Sequence, residues 1–319
     1  MDLETFLNWP TKKVTQLVHE IGPKVCVFPI NGTRRWFALE HPKEAASGAM
    51  EAYFQIAGRR FVELFKLFFD HGISTLLTPI FGPELLERGI EYQQMMVPAL
   101  AWFARDQSFL DFYDAYDVRV RIYGDTKHYF QDTPYASALN AYEELALRTA
   151  NHHRHRLFIG VCAHDPTETV AEIAVRFYQQ RDRLPTKQEI VEAYYGEQVE
   201  PVDIFIGFDR PAAYDMPLIA TGNEDLYFTI SPSPYMDDHT LRMILYDHMY
   251  TRQVDESDYA GLSREEWEWM QAFYQTNLGK VLGMGIKRGK IWYPLPQVQW
   301  PSEPRNHTGE EFESRKPGP

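Results

Sequence analysis

Short apolar, β-branched runs alternate with stretches of helical period along this chain, and that alternation confines it to a parallel sheet crossed by helices. The runs are Lys24–Pro29, Ile73–Phe81, Val118–Tyr123, Arg156–Cys162, Val202–Phe208 and Leu226–Ile230. Between the first two, Met50, Tyr53, Phe54, Ala57, Phe61, Leu64, Phe65 and Phe68 recur at three- and four-residue steps, which predicts a helix from about Ala49 to Asp70. His71-Gly72 closes it with the chemistry of a helix C-cap. Further helices are expected over about 84–104, 107–115, 136–149, 167–180, 186–195, 240–252 and 264–274. Thr186 with Glu189 three residues on forms a capping box. The expected fold class is α/β, a central and mostly parallel sheet flanked by helices. No repeat or linker divides the chain, so one domain is expected over 1–293. From Pro294 onward there are six prolines, few aliphatics and many charges, which predicts a disordered tail over 294–319.

The segment Val25–Phe37, V-C-V-F-P-I-N-G-T-R-R-W-F, carries the strongest chemical signal. A strand, a glycine turn and a helix N-terminus together form an anion site. The backbone N–H groups of Gly32, Thr33 and Arg34 face outward, and the helix dipole favours negative charge there. The guanidiniums of Arg34 and Arg35 suit phosphate oxygens because their planar fork binds bidentately. The same residues also fit an ordinary βα turn with surface arginines. Neither a P-loop nor a dinucleotide fingerprint is present in this segment.

Charge narrows the partners. With 32 Lys and Arg against 45 Asp and Glu, the net charge is −13, which excludes the broad basic surface that nucleic acid requires. A local positive pocket for a small anion stays open. Cys26 and Cys162 lie in apolar runs and read as buried thiols of a reducing compartment. The start, M-D-L-E-T-F-L-N-W-P, lacks a basic-then-apolar signal pattern, and no apolar run reaches the ~20 residues that span a bilayer. A cytoplasmic protein without stable membrane insertion is expected. The N-H-H-R-H-R run with His152, His153 and His155 fits no usual metal-ligand spacing and reads as a solvated loop.

Gly32-Thr33-Arg34-Arg35-Trp36-Phe37 resembles the first signature of the cis-prenyltransferases, which binds an allylic diphosphate. It is closer still to a divergent branch of diterpene synthases, typified by the tuberculosinol/isotuberculosinol and (+)-kolavelool synthases. The likeness continues in order through His71-Gly72-Ile73, Thr78-Pro79-Ile80-Phe81, Leu85-Leu86-Glu87-Arg88-Gly89, Tyr123-Gly124-Asp125, Glu192–Glu197, Asp203–Phe208, Leu226–Thr229 and Arg242–His248. The resemblance implies a cis-prenyltransferase-like fold, magnesium (Mg2+) as cofactor, and a homodimer. It also implies a prenyl diphosphate substrate held by Gly32, Thr33, Arg34 and Arg35. Tyr53 and Tyr92 match pocket tyrosines of the branch and are the candidates to orient a water. Trp36, Phe54 and Phe81 are expected to line a hydrophobic, aromatic pocket that shields a carbocation through cation–π attraction.

Two departures from the resembled pattern bear on chemistry. Elongating members carry arginines and a serine after the C-terminal strand to hold a second diphosphate. Here Asp203–Asp215 reads D-I-F-I-G-F-D-R-P-A-A-Y-D, with Gly207 where the first arginine belongs. A single diphosphate is therefore expected to be ionised rather than two condensed. Asn31 stands where the family has the aspartate that works with magnesium, and an amide supplies neither its charge nor its basicity. Asn31 is still the expected catalytic and metal-facing position, with Asp165 beyond the fourth strand as a further metal candidate. The expected reaction is ionisation of a bicyclic C20 diphosphate, tuberculosinyl or kolavenyl, followed by capture of the cation with water. Alternatives are elongation of an allylic diphosphate and a non-catalytic diphosphate-binding subunit. The sequence Asp237-Asp238-His239-Thr240-Leu241 lacks the later carboxylate of helical terpene synthases and reads as a helix cap.

Overall fold

The computed structural model describes residues 1–48, 50–82, 99–131, 133, 135–252, 261–295 and 298–301. The chain divides into two compact units, Met1–Val254 and Asp255–Pro319, so the boundary falls earlier than the 1–293 span read from sequence.

Strands β1 (Val25–Val27), β2 (Thr75–Phe81), β3 (Val118–Tyr123), β4 (His155–Val161), β5 (Ile204–Phe208) and β6 (Asp225–Thr229) form one sheet in the order β3-β4-β2-β1-β5-β6. Every pairing in it is parallel. A parallel sheet needs helices on both faces, and the strand residues sort accordingly. Cys26, Leu76, Val120, Leu157, Ile204 and Ile206 join one core. Val25, Val27, Leu77, Phe158 and Phe205 join the other.

The helices are α1 (Leu3–Leu7), α2 (Thr11–Ile21), α3 (Thr33–Glu40), α4 (Pro42–Ser47), α5 (Met50–Asp70), α6 (Gln107–Ala115), α7 (Thr126–Phe130), α8 (Ala136–Arg148), α9 (Thr167–Arg181), α10 (Lys187–Tyr195) and α11 (Asp238–Tyr246). Residues 99–105 are also helical, while most of the helix expected over 84–104 lies outside the described residues. The apolar stripe of α5 places Leu64, Phe65 and Phe68 at zero exposure, with Phe68 4.7 Å from Phe28 beyond β1. The capping box at Thr186 is present and opens α10. The helix expected to run to residue 252 instead changes pitch after Tyr246 into a π-helical turn, Asp247–Thr251. There Asp247 accepts hydrogen bonds from the Tyr227 hydroxyl and the Arg252 guanidinium, each at 2.7 Å.

The second unit holds α12 (Arg264–Thr276) and an antiparallel hairpin, β7 (Gly285–Arg288) with β8 (Ile291–Pro294). The hairpin follows what read as the last strand, and its neighbours correct part of the expected tail. Trp300 stacks on Trp269 at 6.0 Å, and Asn277 exchanges two 2.9 Å hydrogen bonds with Gln299. Large apolar side chains outweigh the proline content there; residues 302–319 lie outside the described ones. Cys26 and Cys162 are buried thiols that form no disulfide, and no described helix is long and apolar enough to cross a membrane.

Candidate active site

From β1 the chain moves to β2, β3 and β4 on one side, then returns across β1 to β5 and β6 on the other. The crevice beyond the carboxyl ends of β1 and β5 is therefore the topological switch point, where open α/β sheets bind ligands. The sequence leaving β1 is built tightly into it. Ser233, fully buried, donates from its backbone to the Asn31 carbonyl at 3.0 Å and from its hydroxyl to the Pro29 carbonyl at 3.0 Å. The Asn31 amide donates to Ser233 Oγ at 3.1 Å, and Thr33 Oγ1 donates to the Ile30 carbonyl at 3.1 Å.

Gly32 caps α3 with φ +74° and, being glycine, brings no side-chain cap to its first turn. A Cβ at this position would lie 2.8 Å from Phe208 Cε1 and 2.9 Å from Pro232 Cβ. Both the left-handed backbone and the close approach thus require glycine. The resulting N-terminus presents backbone donors and the positive end of the helix dipole to the crevice. Arg34 and Arg35 stand exposed on its first turn. Arg35 lies 3.7 Å from Asp209 and 5.3 Å from the centre of the Phe208 ring. These observations give the four expected diphosphate residues one shared location.

Beside this turn an apolar pocket of about 560 Å³, open mouth included, lies between α5, the end of β2 and the helical residues 99–105. That figure includes solvent space at the mouth; the volume open to a water-sized sphere is about 100 Å³, smaller than the ~300–1,000 Å³ of ligand pockets. Its described lining includes Tyr53, Phe54, Phe61, Phe81, Trp102 and Phe103. Phe37 of α3 meets Tyr53 edge-on at 5.2 Å, linking the Gly32 turn to the pocket through one aromatic contact. Such walls offer their π faces to a cation. Tyr53, Phe54 and Phe81 thus share one pocket lining. Trp36 is not among the described lining residues: it is buried edge-on against His41 at 5.5 Å, one residue round the helix from Phe37. Tyr92 lies outside the described residues.

The metal expectation meets a poor donor set. Asn31 offers a neutral amide whose Nδ2 donates to the Tyr214 hydroxyl. Among the described residues no three His, Cys, Asp or Glu side chains group so as to hold a metal ion. Asp165 is exposed beyond β4, with β2 between that strand and β1, and accepts from the Thr167 amide at 3.0 Å. The Thr167 hydroxyl and amide hold its carboxyl below the usual range. A short side chain closing a turn at a helix start explains this placement.

Sequence reasoning passed over Asp209, Tyr214 and Ser233. Two of them sit in the Asp203–Asp215 stretch, where attention fell on what was missing rather than on what had arrived. Gly207, where the resembled pattern has an arginine, is closely hemmed in: a Cβ there would lie 2.7 Å from Phe228 Cδ1 and 2.9 Å from Phe205 Cε1. Aromatic rings fill the space an arginine would need.

No protein-family model matches the chain. It is 38% identical over 290 residues to the tuberculosinyl adenosine transferase of Mycobacterium tuberculosis (strain CDC 1551 / Oshkosh), covering 90% of this chain and 96% of that one. The chain belongs to that family. It is also 28% identical over 307 residues to the (+)-kolavelool synthase of Herpetosiphon aurantiacus, covering 92% and 95% of the two chains. Among solved structures it is similar to lavandulyl diphosphate synthase from Lavandula x intermedia in complex with dimethylallyl diphosphate, with TM-score 0.55 and 13% identity over 72% of this chain and 97% of that one. A probable undecaprenyl diphosphate synthase from Campylobacter jejuni gives TM-score 0.53 and 12% identity, with the same coverage. These two likenesses speak for the fold alone, a parallel sheet flanked by helices as in those two synthases.

Proposed function

We propose that this protein ionises a bicyclic C20 prenyl diphosphate and passes the cation to a nucleophile. The C–O bond to the diphosphate breaks, and pyrophosphate leaves with the electron pair. A lone pair of the acceptor then forms the new bond to carbon, and an acceptor proton, where one is lost, goes to solvent. The observation that carries this reading is the junction at Phe37 and Tyr53: a glycine-capped, doubly basic helix start abuts a pocket walled by aromatic rings. The helix start and Arg34 and Arg35 stabilise the departing anion, and fixed dipoles of this kind need no reorganisation during reaction. Tyr53 and the pocket rings shield the cation. Magnesium, when bound to the diphosphate, would neutralise its charge, and Asn31 Oδ1 is this chain's candidate ligand.

A nucleoside is the favoured acceptor, because the 38% identical relative is named an adenosine transferase. Capture by water is the second reading, supported by the 28% identical (+)-kolavelool synthase. Incubation with tuberculosinyl or kolavenyl diphosphate, with and without adenosine, followed by mass spectrometry of the products, separates the two. Release of pyrophosphate with an adenosine adduct is expected. Incorporation of radiolabelled isopentenyl diphosphate into longer chains would replace this reading with elongation, and binding without turnover would make the chain a partner subunit.

A further inference from the structure

The loop that follows β5 delivers two side chains to the diphosphate turn. Asp209 faces Arg35 at 3.7 Å, and the Tyr214 hydroxyl accepts a hydrogen bond from Asn31 Nδ2. We propose that Tyr214 is a positioning residue that fixes the plane of the Asn31 amide, so that Oδ1 is the acceptor this pair presents in the crevice. The inference rests on the diphosphate-ionising reading above and adds to it a residue outside the Gly32–Arg35 turn.

The loop is built to hold that hydroxyl in place. Three of its non-glycine residues, Asp209, Asp215 and Leu218, have left-handed backbones with φ 69°, 55° and 69°. Each such residue is held against its backbone preference and persists only where its surroundings over-determine it. Those surroundings are visible. The Tyr123 hydroxyl donates to the Asp215 carbonyl and the Tyr195 hydroxyl to the Pro217 carbonyl, both at 2.7 Å, and both phenol rings are buried. The Tyr214 ring itself stands edge-on to Phe205 at 5.6 Å. On the other side, Ser233 clamps the Asn31 backbone.

An unheld asparagine rotates and can turn either edge of its amide to a ligand. Nδ2 toward a diphosphate would donate; Oδ1 toward it would need a water or a cation between. Committing Nδ2 to Tyr214 removes the first option. Direct contact with phosphate oxygens is then left to Arg34, Arg35 and the helix start, and Asn31 addresses whatever hydrates or neutralises the leaving group.

A double-mutant cycle on Tyr214→Phe and Asn31→Ala, read as pyrophosphate release, tests the pairing. The phenylalanine keeps the ring on Phe205, so the fold is retained. Tyr214→Phe should lower kcat about tenfold while KM for the diphosphate stays within about threefold. The double variant should match Asn31→Ala alone. Effects that multiply, or a rise in KM that accounts for the loss, would overturn the proposal. A second arm needs no substrate: hydrogen exchange at the Asn31 side-chain amide, observed by 15N NMR and assigned by Asn31→Ala. It should be slowed in the parent protein and fast in Tyr214→Phe, and fast exchange in both would overturn the pairing. If the parent releases no pyrophosphate, the proposed function fails, and this second arm still decides the role of Tyr214.

Discussion

The indole of Trp102 occupies the space that a side chain on Gly58 would need: a Cβ there would lie 1.8 Å from Cη2 and 2.6 Å from Cζ2 and Cζ3. Gly58 sits within α5, and Trp102 walls the aromatic pocket. The shape of the pocket thus depends on an absent methyl group on the facing helix.

Gly58→Ala sets two effects against each other. Alanine favours a helix interior by ~1 kcal/mol. Overpacking against a ring held between Phe54 at 5.9 Å and Phe109 at 5.1 Å costs ~1–3 kcal/mol. The clash should win. Denaturant unfolding should show a net loss of stability, and product formation should fall as Trp102 shifts into the pocket.

Arg35 is expected to be available to an incoming diphosphate despite its pairing with Asp209. At 3.7 Å and with 43% of the Arg35 side chain exposed, that ion pair holds ~0–1 kcal/mol. A charged hydrogen bond to phosphate contributes ~1.5–3 kcal/mol. Arg35→Ala should therefore weaken pyrophosphate binding by ~1.5–3 kcal/mol in calorimetry, while Asp209→Asn should strengthen it slightly. Unchanged affinity in Arg35→Ala would move the anion site elsewhere.

Asn31→Asp should raise turnover in magnesium, because a carboxylate gives the metal a full charge where an amide gives a dipole. In the presence of a chelator the sign reverses: the added negative charge should weaken pyrophosphate binding. Titrating both proteins with pyrophosphate, with and without magnesium, checks the crossover.

His155 links stability to acid. Burial, helped by the Arg154 charge, pushes its imidazole down to about 4, and its ring stacks on Phe69 at 4.4 Å. The unfolded chain, with an ordinary value near 6.5, binds this proton first, so stability falls as pH drops from ~6.5 to ~4. The slope from this group approaches ~1.4 kcal/mol per pH unit within that window. Unfolding measured at pH 7 and pH 5 should show the loss, and His155→Phe should flatten it.

Periodicity was enough to read the parallel sheet, because each buried strand here is a short apolar run and each crossover helix carries a stripe. Val118–Tyr123 has the predicted bounds. The hairpin Gly285–Pro294 was hidden by its composition, since glycine, lysine and proline break the alternation that marks strands. The glycine turn and helix start were legible because the pattern is local, packed into Asn31–Arg35. Tyr214 and Ser233 were not legible: they reach Asn31 across 183 and 202 residues, and only strand order brings them there. Trp36 and Phe37 show the finest limit, since adjacent positions on one helix point to different neighbours, and only Phe37 meets the pocket.

The Phe228 ring over Gly207 couples the two positions. A larger residue at 207 alone drives its Cβ into that ring at 2.7 Å. Shrinking Phe228 first strips the packing it makes with Phe205 at 6.1 Å and leaves a gap. Either order of change passes through a less stable protein. The pair therefore acts as a ratchet: other positions can drift one at a time, but a side chain enters at 207 only when 207 and 228 change together.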